Sequence, residues 1–401
     1  MPDPTDRRTE LLDWRFKAIP AQAHGLTVAQ WLRNRPHRTE LPTPLLTLDA
    51  EALDHNLHAM AAWCRSAGVH LAPHGKPTMA PALWQRQLAA GAWGITVANP
   101  AQARVAHAWA VPVIMVANEI VAPTALRELA GWVADGTRVV CFADSTDAVS
   151  AMDTALRNAA APIEVCVELG VPGGRCGARD TDTALRVAAA IATSPRLKLA
   201  GVAGYEGSVA HGVTDADLAR IDAFLDRMAA LAGRIEPEVN GPLVTAGGSQ
   251  YFDQVADRLA PLGERGWDVV LRAGSYLTHD DGRYAAVTPA ARGRSGPRLR
   301  SALRAWATVL SVPEPGRAVL DAGRRDLPFD QGLPIPLDLP GAEVVELNDQ
   351  HAHLVGAVAG LRVGDVVRLG VSHPCTTMDK WSLIPLLDGE ERVADLVRTY
   401  F

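Results

Sequence analysis

Apolar positions along the chain follow two rhythms. Short β-rich runs recur between stretches in which apolar residues return at three-to-four spacing, the signature of βα units around a parallel sheet. The runs are VHLAPH (69–74), WGITVA (93–98), PVIMVAN (112–118), TRVVCFAD (137–144), IEVCVELG (163–170), LKLAGVAGYE (197–206), PLVTAGG (242–248) and WDVVLRAG (267–274), eight in all. Between them lie Ala/Leu/Arg-rich amphipathic segments such as PALWQRQLAAGA, AQARVAHAWA, TALRELAGWVADG and TDTALRVAAAIA. Eight parallel strands with eight crossovers close into a (β/α)8 barrel, an α/β fold. A doubly wound open sheet would call for a glycine fingerprint after its first strand, and no G-x-G-x-x-G follows residues 69–74.

The barrel rhythm stops near 285, where ARGRSGPRLR reads as a linker. Three parts follow from the pattern. Residues 1–43 are a polar N-terminal extension with helical pieces such as GLTVAQWLRNR, residues 44–290 are the barrel domain, and residues 297–401 are a C-terminal β-domain. Short strands in ALRAWATVLSV, GRAVLDAG, AEVVELND and DVVRLGVS, broken by Pro and Gly turns, define that last part. The early run PLLTLD (44–49) is expected to leave the barrel and join it.

Composition narrows the partners. The chain has 401 residues, 48% hydrophobic and 21% charged, and its 39 Lys and Arg against 45 Asp and Glu leave a net charge of -6. No basic surplus points to nucleic acid or to an anionic membrane, which leaves a small molecule as the expected partner. Five cysteines, odd in number and scattered, match cytosolic usage better than a disulfide framework. The start of the chain lacks an apolar signal core, and no stretch approaches the roughly 20 uninterrupted apolar residues of a membrane span, so a cytoplasmic location is expected.

The first barrel strand ends in Pro73-His74-Gly75-Lys76-Pro77-Thr78, where a barrel's catalytic face begins. Lysine occurs only at 17, 76, 198 and 380, so Lys76 is either a solvated loop charge or an amine placed for imine chemistry with a carbonyl. Partial desolvation would free its lone pair for the second role. The turns Gly247-Gly248-Ser249 and Gly274-Ser275-Tyr276 follow the seventh and eighth strands, the usual place of a phosphate site in barrels. Together with Lys76 they point to pyridoxal 5'-phosphate, held by its phosphate and linked through its carbon. Arg175, after the fifth strand, is a candidate for a phenolate oxygen or a carboxylate, or else a loop salt bridge. Tyr205, after the sixth, would meet a cofactor ring or plug the barrel, and His74 is counted with the cofactor-binding residues.

In the β-domain, His373 and Cys375 stand two apart, which in an extended strand puts both on one face. They are either buried core residues or two ligands of an open metal site. The thiolate leans toward zinc, with manganese as the alternative divalent metal. Upstream, Asn348-Asp349-Gln350-His351-Ala352-His353 would be a solvated turn or bring another polar group to the metal.

These motifs resemble those of the D-serine dehydratase and D-threonine aldolase-like family, within the alanine racemase-type (fold type III) barrel of pyridoxal-phosphate enzymes. The resemblance is carried by LAPHGKPTMAPALWQRQLAAGAWGITVA, ELNDQHAHL and GVSHPCTTMDKW, spans about residues 44–385 and is strongest to the bacterial D-serine deaminase-like branch. It implies that Lys76 is the Schiff-base lysine, that His373 and Cys375 are the metal pair, that Arg175 faces the phenolate oxygen and Tyr205 the pyridine ring, and that residues 247–249 and 274–276 cradle the phosphate. A homodimer with active sites shared between one subunit's barrel and its partner's β-domain is also implied. Two departures stand out. Pro77 replaces a usual threonine, and Ser208 stands where some aldolase relatives carry a histidine, while their metal pair is His-x-Asp instead of His-x-Cys. Both aldolase differences favour elimination of the β-hydroxyl of a D-serine-like amino acid, to a 2-oxo acid and ammonia, over retro-aldol cleavage to glycine and an aldehyde.

Overall fold

In the computed structural model, which describes residues 7–401, strand β1 (Leu45–Asp49) is followed by β2 (His70–Leu71), β3 (Ile95–Val97), β4 (Val113–Glu119), β5 (Arg138–Ala143), β6 (Ile163–Leu169), β7 (Leu197–Gly204), β8 (Leu243–Ala246) and β9 (Asp268–Leu271). The first residues of the expected N-terminal extension, 1–6, lie outside those described. Strands β2 to β9 form one parallel sheet in the order β2-β9-β8-β7-β6-β5-β4-β3. Its two ends meet: the Trp93 N–H donates to the Leu71 carbonyl at 2.8 Å, Thr96 to Pro73 at 3.0 Å and Gly75 to Thr96 at 2.7 Å. The expected eight-stranded barrel is therefore present, and each run read from the sequence overlaps one of its strands. Several strands are shorter than their runs because pairing becomes irregular toward the rim, where Ala72 and His74 still donate to the Leu271 and Arg272 carbonyls at 2.8 and 3.2 Å.

Helices between the strands start where the sequence supplies caps. Asn99, Ser145, Asp180 and Thr214 each accept a backbone N–H three residues on. Alternation then sorts the strand side chains. In β5, Val139, Cys141 and Ala143 pack outward into the core shared with the helices, whereas Val140 and Phe142 join Met115, Cys166 and Val270 in a separate buried cluster. This second cluster fills the inside of the ring, so open volume remains only at the C-terminal rim.

The second sheet comprises β10 (Leu303–Glu314), β11 (Arg317–Leu320), β12 (Ile335–Pro336), β13 (Ala342–Leu347), β14 (Ala352–Gly356), β15 (Val366–Gly370), β16 (Leu383–Leu387) and β17 (Val393–Arg398), together with β1. Strand β1 lies antiparallel to β10, with Leu45 opposite Trp306, and parallel to β16, with Leu48 opposite Leu386. Residues before β1 are built into this unit: Leu12, Phe16, Ile19 and Trp31 are buried, and the Arg38 N–H donates to the Glu391 carbonyl at 2.9 Å. No described helix is long and apolar enough to cross a membrane.

Candidate active site

Lys76 emerges from the loop after β2, in a tight turn whose hydrogen bonds come from the Thr78 and Met79 N–H groups to the Gly75 carbonyl, at 3.2 and 2.8 Å. Pro77, which has no N–H to give, therefore removes none of them. The lysine side chain lines a cavity of about 500 Å³ at the barrel rim, with His74, Arg175, Tyr205, Arg272, Ser275 and Cys375 among its walls. The Lys76 side chain is exposed to the solvent that fills the open cavity, so its desolvation is partial. That partial desolvation, with the charges of Arg175 and Arg272, lowers the Lys76 pKa against the opposing effect of Cys375. Burial and the charges on Lys76 and Arg272 likewise hold His74 neutral.

Close backbone approach shapes this corner. A Cβ on Gly274 would sit 2.3 Å from the His74 carbonyl oxygen, so only glycine lets the turn after β9 pass beside the lysine loop. Gly248, Ser249, Gly274 and Ser275 all border the cavity, and the Ser275 N–H donates to Ser249 Oγ at 3.2 Å. Three expected members are placed otherwise. The Gly247 and Gly248 N–H groups are taken by the two oxygens of Glu206, at 2.9 and 2.6 Å, and Tyr276 turns its side chain out of the cavity, its hydroxyl accepting from Gln87 Nε2 at 3.0 Å. Ser275 and Tyr276 lie in the turn after β9, and the buried Tyr276 ring packs among the helices while Ser275 lines the cavity.

Arg175 and Tyr205 come together, the guanidinium 4.6 Å from the ring centre. Burial, then the charge of Glu206, raises the Tyr205 pKa, so the phenol stays protonated.

His373 and Cys375 also meet, though not on an extended strand. Strand β15 ends at Gly370, and Pro374–Thr376 form a 3-10 turn. Pro374 cannot donate to a ladder and starts the turn instead. The Cys375 Sγ reaches the cavity and lies 3.4 Å from Ser275 Oγ, which joins the β-domain to the barrel rim. His373 Nδ1 lies 2.7 Å from Asp330 Oδ2. Burial opposes a charged imidazole there, but Cys375 and Asp330 together raise its pKa. The 348–353 turn packs elsewhere: His353 Nε2 meets Asn348 Oδ1 at 2.7 Å and Gln350 donates to Asp326.

Sequence reasoning missed several groups. Arg272 is buried at the end of β9, donating to Thr245 Oγ1 at 2.8 Å and to the Gly204 carbonyl at 2.6 Å. Its signal was present, since an arginine closing the apolar run VVL has to be matched by internal acceptors. Tyr284 lines the cavity from a short helix, Arg283–Val287, and Glu119 and Glu168 pair at the ends of β4 and β6.

A parallel barrel with a lysine at its rim, facing a β-domain that carries β1, is the architecture of the fold type III pyridoxal-phosphate enzymes. Family models agree: the alanine racemase N-terminal domain matches residues 48–257 and the putative serine dehydratase domain residues 302–387. The chain belongs to the D-serine dehydratase and D-threonine aldolase-like family of that class. It is 33% identical to a D-threonine aldolase of Arthrobacter sp over 356 residues, 86% of this chain and 89% of that protein. A 3-hydroxy-D-aspartate aldolase of Paracoccus denitrificans (strain Pd 1222) is 25% identical over 86% of this chain and 88% of its own length. The crystal structure of D-threonine aldolase from Filomicrobium marinum superposes with a TM-score of 0.78 at 30% identity, covering 90% of this chain and 95% of that one.

The residues present fit the cofactor of the class. A depressed amine, a glycine cradle that a Cβ would fill, and serine hydroxyls at the same rim are the groups that pyridoxal 5'-phosphate requires. A histidine nitrogen beside a thiol that lines the cavity likewise suits a borderline divalent metal.

Proposed function

We propose that the chain is a pyridoxal-phosphate- and metal-dependent lyase of β-hydroxy-D-amino acids, and within that class a dehydratase converting a D-serine-like substrate to a 2-oxo acid and ammonia. The observation that carries the reading is the Cys375 thiol lining the same cavity as the Lys76 amine.

Lys76 Nζ would hold the cofactor's aldehyde carbon and, once a substrate amine takes its place, accept the Cα proton; its lowered pKa favours the unprotonated form that this needs. When bound, pyridoxal 5'-phosphate supplies an electron sink for the charge left at Cα. Ser249, Gly274 and Ser275 would hold its phosphate, with Gly248 shaping the turn, Arg175 would face its phenolate oxygen, and Tyr205 would lie against its ring. His373 and Cys375 would hold the metal, zinc by preference and manganese as the alternative, whose contribution is Lewis acidity at the β-oxygen.

Elimination is favoured over cleavage because retro-aldol chemistry needs a base on the β-hydroxyl, and Ser208, whose hydroxyl donates to the Tyr205 carbonyl at 2.7 Å, is no base near neutral pH. The second reading, retro-aldol cleavage to glycine and an aldehyde, rests on the 33% identity to an aldolase. Incubating the purified protein with D-serine and with D-threonine separates them: ammonia and 2-oxo acid are expected, and glycine with aldehyde instead would overturn the dehydratase assignment while keeping the lyase class. A homodimer belongs to the same proposal, supported by exposed Leu310, Val312, Val345, Val363 and Val366 on the β-domain. Sedimentation at a monomer mass would remove it.

A further inference from the structure

The segment between β11 and β12 carries a carboxylate that neither the motifs nor the family match marks out. Asp330 Oδ2 lies 2.7 Å from His373 Nδ1, and its other oxygen, Oδ1, accepts from Thr376 Oγ1 at 2.5 Å. Both partners belong to the turn that holds Cys375. We propose that Asp330 is a positioning residue for the metal pair: it fixes the His373 proton on Nδ1, aims Nε2 away from itself, and locks the turn through Thr376. This rests on the reading of His373 and Cys375 as metal ligands.

Three arguments support it. A neutral imidazole offers one lone pair, and the nitrogen that carries it is chosen by the hydrogen bond at the other nitrogen. A carboxylate at Nδ1 selects the Nδ1–H tautomer and raises the basicity of Nε2, the nitrogen left for a metal. Second, Asp330 does not swing freely. Gln331 Oε1, its neighbour, accepts from Arg283 Nη1 at 2.8 Å, and the Ser372 hydroxyl donates to the Gly332 carbonyl. Further back in the same segment, Asp326 is held by Lys17 at 2.8 Å, and the Asp326 carbonyl by Trp381 Nε1 at 2.9 Å. The segment is thus tied to the N-terminal residues, to the barrel rim and to the β-domain at once. Third, both carboxylate oxygens already have partners within the turn, which assigns Asp330 to holding a ligand and not to being one.

The test compares wild type, Asp330→Asn, Asp330→Ala and Cys375→Ala by competition for Zn²⁺ against a chromophoric chelator, and by the visible spectrum of each Co²⁺-loaded protein. Wild type is expected to bind one Zn²⁺ per chain with a thiolate-to-cobalt charge-transfer band, both lost in Cys375→Ala. In Asp330→Asn the zinc affinity should fall by about 10–100-fold, as second-sphere substitutions do, while the charge-transfer band stays at its wild-type energy, because the ligands themselves remain. Asp330→Ala should weaken zinc at least as much. Affinities within threefold of wild type in both variants would overturn the inference with the metal reading intact. A cobalt spectrum whose ligand-field bands change coordination number in Asp330→Asn would also overturn it, making Asp330 a ligand. If Cys375→Ala binds zinc as well as wild type does, the metal reading fails and takes this inference with it. Should Asp330→Ala not fold, the near-isosteric Asn variant and Thr376→Val, expected to weaken zinc less than Asp330→Asn, carry the comparison.

Discussion

Glu206 Oε1 accepts the Gly248 backbone N–H at 2.6 Å, so the turn expected to cradle a phosphate is braced from behind by a buried carboxylate. Its second oxygen takes the Gly247 N–H, and two charge-assisted bonds thereby fix the path of the chain after β8. Replacing Glu206 with Gln turns one acceptor into an N–H₂ that faces a backbone donor. A loss of about 1–3 kcal/mol is expected from the unsatisfied pair, read as a lower urea midpoint, along with weaker retention of pyridoxal 5'-phosphate on dialysis. An unchanged midpoint would show that the turn holds its shape without the brace.

Lys76→Ala removes the amine that lines the cavity. The purified variant should lack the visible absorbance of lysine-bound cofactor, and turnover should fall by about 10²–10⁴-fold, the range of a lost acid–base group. A persisting band with full activity would place the covalent link elsewhere.

Lys17 sits with its ammonium 3.8 Å from the centre of the Trp381 ring and 2.8 Å from the buried Asp326. Lys17→Met keeps the aliphatic length and deletes the charge, leaving Asp326 with only the Gly323 N–H and Gln350 as donors to its side chain. Destabilisation of about 1–2 kcal/mol is expected, measured as a shift in the denaturant midpoint. A neutral result would make the N-terminal segment a passive cover.

Elements with strong period were legible in advance. Each barrel strand is a compact apolar run, and all but β9 lead into an amphipathic helix, so periodicity locates β2 to β9, and Lys76 stands out because lysine is scarce in this chain. Strands β12, β14, β16 and β17 escape the sequence pattern: β12 contains Pro336, β16 contains Pro385, and β14 carries the polar His353, features that blur a strand signal. Site groups defined by tertiary placement were invisible for a different reason. Asp330 reaches His373 across 43 positions of sequence, and Tyr284 meets the cavity only because the rim folds over it. Local spacing carries no trace of such contacts. The His373 and Cys375 pair was found by spacing, but its backbone was misjudged, since Pro374 between them converts a strand into a turn.

Glu119 and Glu168 end neighbouring parts of the rim, and their carboxyl oxygens lie with the Cys176 sulfur within 4.8 Å of one another. Burial first, then the adjacent Glu119 carboxyl, push Glu168 up to about 9 from an ordinary 4.5. The folded chain therefore keeps a proton that the unfolded chain releases. Across the window from about 4.5 to about 9, folding binds more protons than unfolding. The contribution of this group is complete below the lower value, falls as pH rises and is lost above the upper one. The slope from a single group cannot exceed about 1.4 kcal/mol per pH unit. Glu168→Gln substitutes a neutral amide for the protonated acid and should flatten that decline. Urea midpoints of wild type and variant, measured at intervals from about pH 5 to pH 9, should lie closest at the acid end and separate in the variant's favour toward the alkaline end. Glu119→Gln should act in the same direction by removing the charge that helps hold the Glu168 proton. Parallel curves for all three proteins would mean that Glu168 ionises normally, and its retained proton would have to be abandoned.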